Sequence, residues 1–139
     1  MKKNYFALTL SFFLIFTLSS CSTSLSFLNS SVVPAAKGSA KFSKDGNDNY
    51  AITVKVTNLA EPSRLQPKKA LYVVWMVTKS NVTKNLGRLN SSSSFFSSGL
   101  EGELNSVSAF KPDYVFITAE DNSDIQFPMG TVVLTTKSR

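Results

Sequence analysis

An all-β fold, a single antiparallel β-sandwich of immunoglobulin-like type with about seven strands, is the class this chain predicts. Apolar and polar residues alternate at a period of two in several segments, residues 71–77 are apolar throughout, and no stretch shows a sustained 3.6-residue period. Helix is expected to be minimal.

The strands follow in order. Ala40 and Phe42 alternate with Ser39, Lys41 and Ser43, and residues 44–49 (Lys-Asp-Gly-Asn-Asp-Asn) supply turn chemistry. Tyr50, Ile52, Val54 and Val56 then alternate with Ala51, Thr53, Lys55 and Thr57, so the pair reads as a hairpin with one buried face. Residues 71–77, with Tyr72, Trp75 and Met76 among valines, suit a strand covered on both faces and are too few for a helix. Pro62 and Pro67 bracket the loop before it. Residues 82–89 read as the next strand, with Gly87 as a bulge or close-contact position. A serine-rich stretch, residues 91–94, leads to Phe95-Phe96, and Leu104 with Val107 marks another short strand. Residues 114–119 and 131–136 close the series, separated by a polar turn and Phe127-Pro128-Met129-Gly130. Trp75 is expected in the core, packed on Tyr72, Phe116 or another aromatic, with ligand stacking as the alternative.

The start of the chain has a different composition. Lys2 and Lys3 precede an uncharged, mainly apolar stretch from residue 5 to 18, and Leu18-Ser19-Ser20 leads to Cys21, the only cysteine. This is the layout of a secretory signal, shorter than the roughly 20 apolar residues that a membrane span requires. Leu18-Ser19-Ser20-Cys21 resembles the lipobox of bacterial lipoproteins. The resemblance implies cleavage before Cys21 and fatty acyl chains, palmitate among them, on that residue. One chain binds a bilayer only marginally, whereas the three that the resemblance implies hold stably. Under the sorting rules of lipoproteins in many two-membrane bacteria, the resemblance with Ser22 rather than Asp after the cysteine implies the outer membrane over the inner one. An uncleaved anchor helix, or an ordinary signal with an incidental cysteine, are the alternatives. A lone cysteine in an exported chain has no disulfide partner within it, and lipidation gives it a role.

The expected organisation is therefore a signal peptide over 1–20, a lipidated Cys21 with a flexible tether over 21–36, and the sandwich over 37–139. The tether is read from its serine-rich, uncharged composition; Leu25, Phe27, Leu28, Val32 and Val33 leave open a first edge strand. The 119 residues that follow the signal suffice for one core. Loss of Lys2 and Lys3 lowers the formal charge from +6 to +4. The basic residues are scattered from Lys37 to Arg139 without an aromatic-lined stripe, which argues against nucleic acid as a partner and leaves a weak attraction to anionic lipid.

The central segments also resemble a known family. Val56-Thr57-Asn58-Leu59-Ala60-Glu61-Pro62, the run from Ala70 through Tyr72 and Trp75 to Val77, and Asn85-Leu86-Gly87-Arg88-Leu89 are similar to the extracytoplasmic domain of anti-sigma-K factors. Phe116-Ile117-Thr118-Ala119-Glu120 and the run from Pro128 to Leu134 are similar to that domain's closing strands. The resemblance spans about residues 38–136. It implies a β-sandwich with binding or sensing behaviour and no catalytic residues. Those factors carry a sigma-binding domain and a membrane-spanning helix ahead of the sandwich, which this chain lacks, so the sigma-binding role is not implied.

Reactive chemistry is sparse. Histidine is absent, which removes the commonest general base and metal ligand and every Ser-His or Cys-His pair. With Cys21 acylated, soft-metal sites lose their thiolate as well. Ser108-Ala109-Phe110-Lys111 has Ser-x-x-Lys spacing without the companion motifs of penicillin-recognising enzymes. Asp45, Asn47 and Asn49 copy the first positions of a calcium loop, but Tyr50 replaces its glycine and Val56 its glutamate, so a hairpin turn is expected. Glu120, Asp121 and Asp124 form a candidate binding loop at a strand end, with a solvated loop as the plainer reading. The sequence thus predicts a non-enzymatic envelope lipoprotein without a cofactor. Its partners are the membrane, through the anchor, and an envelope protein or glycan, through loops or a sheet edge. A purely structural spacer is the alternative.

Overall fold

The computed structural model describes residues 21–93 and 98–139. The predicted signal over 1–20, together with Phe95 and Phe96, lies outside the described residues. Among the described residues nine strands form two antiparallel sheets. One has the order β1 (Ser22–Ser26), β2 (Lys37–Lys44), β3 (Tyr50–Leu59), β7 (Leu100–Ser108), β6 (Asn90–Ser93); the other has the order β5 (Thr83–Arg88), β4 (Leu71–Thr78), β8 (Pro112–Glu120), β9 (Thr131–Thr135). The only helix among the described residues is a 3-10 turn at Pro62–Arg64. The chain is an all-β sandwich, as the period-two patterning predicts.

Alternation builds the core. Ala40 and Phe42 from β2, Ile52, Val54 and Val56 from β3, and Leu104 from β7 point inward, while Lys41, Lys55, Glu103 and Asn105 face solvent. They meet Tyr72, Val74 and Met76 of β4 and Val115, Ile117 and Ala119 of β8 across the interior. Each fully buried side chain of this size contributes about 1.5–3 kcal/mol by leaving water. The other face of β4 is covered as well. Val73, Trp75 and Val77 pack with Phe116 in a second cluster, flanked by Leu71, Tyr114 and Ile125. Two covered faces are why the 71–77 run has no polar alternation.

The β2–β3 hairpin turns where the sequence predicts. The Asp45 carboxylate accepts from the Asn47 and Asn49 amides (2.8 and 2.9 Å), and Asp48 takes a positive φ of 63°, so the calcium-like spacing is a local turn device. Ser108 is likewise used locally, its hydroxyl accepting from the Phe110 amide at 3.0 Å. Gly87 occupies a bulge: opposite β4 the register slips between Val74 and Trp75, and Gly87 has φ +119°, a conformation that L side chains rarely adopt. Immediately after it the chain leaves one sheet for the other. Leu89 is buried at the crossing and its amide donates to the Tyr72 carbonyl at 2.9 Å.

Two strands exceed the expected seven, and one of them corrects the tether. Residues 22–36 are folded. Ser22–Ser26 pair with β2 in register from Ser22↔Ser43 to Ser26↔Ser39, and Phe27, Val33 and Ala36 enter the core. Between them the chain runs along β9: Leu28 N donates to Thr135 O at 2.8 Å and the Ser30 hydroxyl to Val133 O at 2.5 Å. Ser30 Oγ in turn accepts from the Val33 and Val32 amides (2.9 and 3.1 Å). Serine-rich composition favours a spacer only when nothing apolar is buried, and here burial of Phe27, Val33 and Ala36 acts together with the β1–β2 pairing and the hydrogen bonds to β9 against the cost of ordering the backbone. The other additional strand, β6, is wholly exposed and held by backbone pairing to β7.

Tyr72 supplies a pH handle on the core. It is buried, its hydroxyl donates to the Ala60 carbonyl at 2.8 Å, and burial pushes its pKa up from 10.0 to about 12. The folded state therefore holds the phenolic proton more tightly than the unfolded chain. The stabilisation is fully present below pH 10 and is lost as pH rises towards about 12. Denaturation followed across this window is expected to show a steeper alkaline loss in wild type than in Tyr72→Phe.

Candidate functional site

The loop of residues 121–130, between β8 and β9, carries the predicted cluster. The structure separates its three carboxylates. Glu120, the last residue of β8, is only 2% exposed. Its Oε1 accepts from the Thr118 hydroxyl (2.7 Å), the Gly130 amide (2.9 Å) and the Met129 amide (3.1 Å). Thr118 in turn accepts from Trp75 Nε1 at 2.8 Å. A chain of donors thus runs from the Trp75 indole through Thr118 to the Glu120 carboxylate, which holds the far end of the loop. Trp75 is fully buried and stacks on Phe116 with centroids 6.2 Å apart, so its role is packing, as the core reading expects.

Asp121 is exposed and pairs with Lys69 at 2.7 Å, tying the loop to the β3–β4 connection. Asp124 is exposed, with its amide donating to Asn122 Oδ1 at 3.0 Å. No group of three His, Cys, Asp or Glu side chains among the described residues is placed to hold a metal ion. The near end of the loop is held by a residue that sequence reasoning missed. Asn85 of β5 donates from one amide nitrogen to both Ile125 O (2.8 Å) and Ser123 O (2.9 Å), while its own oxygen accepts from the Gly87 amide.

Between these two clamps the loop lifts apolar side chains into solvent. Phe127 is 73% exposed and Met129 84% exposed. Val132, at the start of β9, and Leu28 and Val32, on the segment along β9, are exposed too. Scattered single apolar residues need no explanation, whereas these five fall on one loop, on the strand that follows it and on the segment hydrogen-bonded along that strand. Gly130 leaves no room for a side chain, since a Cβ there would overlap the Ala119 carbonyl oxygen. Gly130→Ala is accordingly expected to destabilise the domain by about 1–3 kcal/mol, read as a lowered denaturation midpoint, with the loop displaced. Glu120→Ala, which leaves two backbone amides and a threonine hydroxyl without their acceptor, is expected to cost about 1.5–3 kcal/mol. Glu120→Gln, retaining an acceptor oxygen, should cost less in the same measurement.

Cys21 is exposed and directly precedes β1. The fold and this surface describe a β-sandwich with one rigidly supported apolar loop. No family model, curated protein or solved structure matches the chain.

Proposed function

We propose that this protein is a lipid-anchored lipoprotein of the bacterial cell envelope, attached through Cys21, whose sandwich binds an envelope protein or glycan without performing catalysis. The observation that carries the binding reading is the exposure of Phe127 and Met129 on a loop clamped at one end by Glu120 and at the other by Asn85. A loop held at both ends loses little freedom when its apolar side chains are covered, which keeps the entropic cost of binding low. The alternative route, strand addition at a sheet edge, is narrowed along β9, where Leu28 and Ser30 already occupy the Thr135 and Val133 carbonyls. The resemblance to anti-sigma-K ectodomains is consistent with a sensing role for such a surface.

The test is capture of partners from crosslinked envelopes with wild type and with the Phe127→Ser, Met129→Ser double variant. Both positions are exposed, so folding stability should change by less than about 0.5 kcal/mol, while the captured species should fall at least tenfold. Equal capture by the two would defeat the loop reading and favour a structural spacer. Incorporation of labelled fatty acid into wild type but not Cys21→Ser tests the anchor.

A further inference from the structure

We infer that the end of the sandwich carrying Cys21 is a docking face for the headgroups of an anionic lipid bilayer, with Phe110 on it and the loop of residues 121–130 leaving the sheet at the opposite end, where Glu120 pairs with Leu71. This deepens the anchored reading above and rests on it for the proximity of the membrane.

The folded 22–36 segment is what gives the inference its force. Ser22 is already paired with Ser43 at the end of β2, so a bilayer holding Cys21 lies within a residue of the domain. The strand registers identify what shares that end. Tyr50 pairs with Ser108, Thr78 with Pro112 and Val77 with Thr83. The β2–β3, β4–β5 and β7–β8 turns therefore lie together there, with the chain end beside them, since Arg139 Nη2 donates to Thr23 Oγ1 at 3.0 Å.

Charge is segregated between the two ends. Lys44, Lys79, Lys84, Lys111, Lys137 and Arg139 lie at the Cys21 end against Asp45, Asp48 and Asp113. Lys44 is matched to Asp48 at 2.7 Å, and Asp113 is nearly buried and accepts from Ser138 and the Arg139 amide. In the rest of the chain after residue 20, seven Lys and Arg face six Asp and Glu, so three of the four surplus positive charges sit beside Cys21. The same end exposes Val82, Val107 and Phe110. Lys84 Nζ lies 4.4 Å from the centroid of the Phe110 ring, which is 51% exposed. An aromatic ring among lysines fits the interface between headgroups and acyl chains, where each cation contributes about 1 kcal/mol near an anionic surface.

The experiment uses the protein purified from membranes of an expressing bacterium and reconstituted in phosphatidylcholine vesicles, with or without phosphatidylglycerol and with brominated acyl chains as quencher. The indole introduced by Phe110→Trp should be quenched strongly in anionic vesicles and weakly in neutral ones. Each of Lys79→Glu and Lys111→Glu should lower the ratio of docked to undocked protein at least about fivefold, the factor that corresponds to about 1 kcal/mol per cation. The indole introduced by Phe127→Trp should escape quenching in both lipids. Equal quenching at the two positions, or quenching at position 110 that ignores headgroup charge, would overturn the docking face. Intact mass reads acylation of Cys21 separately. An unacylated chain would refute the anchor, while headgroup-dependent quenching at position 110 would still uphold the face.

Discussion

Trp75→Ala is expected to lower the unfolding free energy by about 3–5 kcal/mol, the range for removing a large buried aromatic. Trp75 is fully buried in the outer cluster with Val73, Val77 and Phe116, and its loss takes away the stacking on Phe116 together with support for Ile125, which packs against that cluster. Its indole N–H also donates to Thr118, whose hydroxyl donates onward to Glu120. Removal of the ring therefore leaves a cavity and loosens the polar chain that holds residues 129 and 130. Trp75→Phe retains an aromatic ring and should recover much of the loss. Chemical denaturation of the three proteins checks the ordering, and an Ala variant as stable as wild type would mean that the outer cluster contributes little. A partner that depends on Phe127 and Met129 should also bind the Ala variant more weakly, because the loop that presents them loses its support.

Removing residues 22–36 is expected to abolish cooperative folding. A tether could be deleted without effect on the domain. Here the deletion strips β1 from β2, takes Phe27, Val33 and Ala36 out of the core, and uncovers the β9 carbonyls that Leu28 and Ser30 occupy. Phe27 and Val33 alone account for about 3–6 kcal/mol of burial, against a total stability of about 5–15 kcal/mol for an ordinary domain. Ser30→Ala probes the same segment more gently. It removes one buried donor and the acceptor for two amides, for an expected loss of about 1–3 kcal/mol. Circular dichroism and thermal denaturation of both variants decide the matter, and a truncated chain that melts at the wild-type temperature would restore the tether.

The strands that were legible in the sequence are those with one wet and one dry face. Ala40 and Phe42, or Ile52, Val54 and Val56, show their period because Lys41, Thr53 and Lys55 stand between them. The 71–77 run shows itself by the opposite sign, an uninterrupted apolar stretch. β1 and β6 carry neither signal. Ser22, Ser24 and Ser26, like Ser91, Ser92 and Ser93, are held by backbone pairing at the margin of a sheet, where side chains have little to bury. Composition alone then points to a spacer, and only the apolar residues Leu25, Phe27, Leu28, Val32 and Val33 leave an edge strand open.

The candidate site divides in the same way. The strand-end loop is legible, but the burial of its residues is not: Glu120 is buried while Asp121 and Asp124 are exposed. A carboxylate reads as exposed until its register is known, and Glu120 lies beneath the very loop it was expected to line. Phe127 and Met129 sit outside any strand, where no periodicity separates a side chain that fills a core from one that meets a partner. Asn85, half-buried in β5, clamps the loop across a sequence distance of about forty residues that no local pattern reveals.

The two sheets are stitched on both flanks. On one, the chain passes from β5 to β6 through Leu89 without a loop; on the other, Phe27 bridges to Thr136 and the following residues bind β9. Each seam joins parts of the opposing sheets that would otherwise be free to slide. Neither sheet can peel away without dismantling the hydrogen bonding of the other, so melting should be a single transition with calorimetric and van't Hoff enthalpies in agreement. A scaffold that fails only as a whole transmits force and strain between its two ends without yielding at a weak layer.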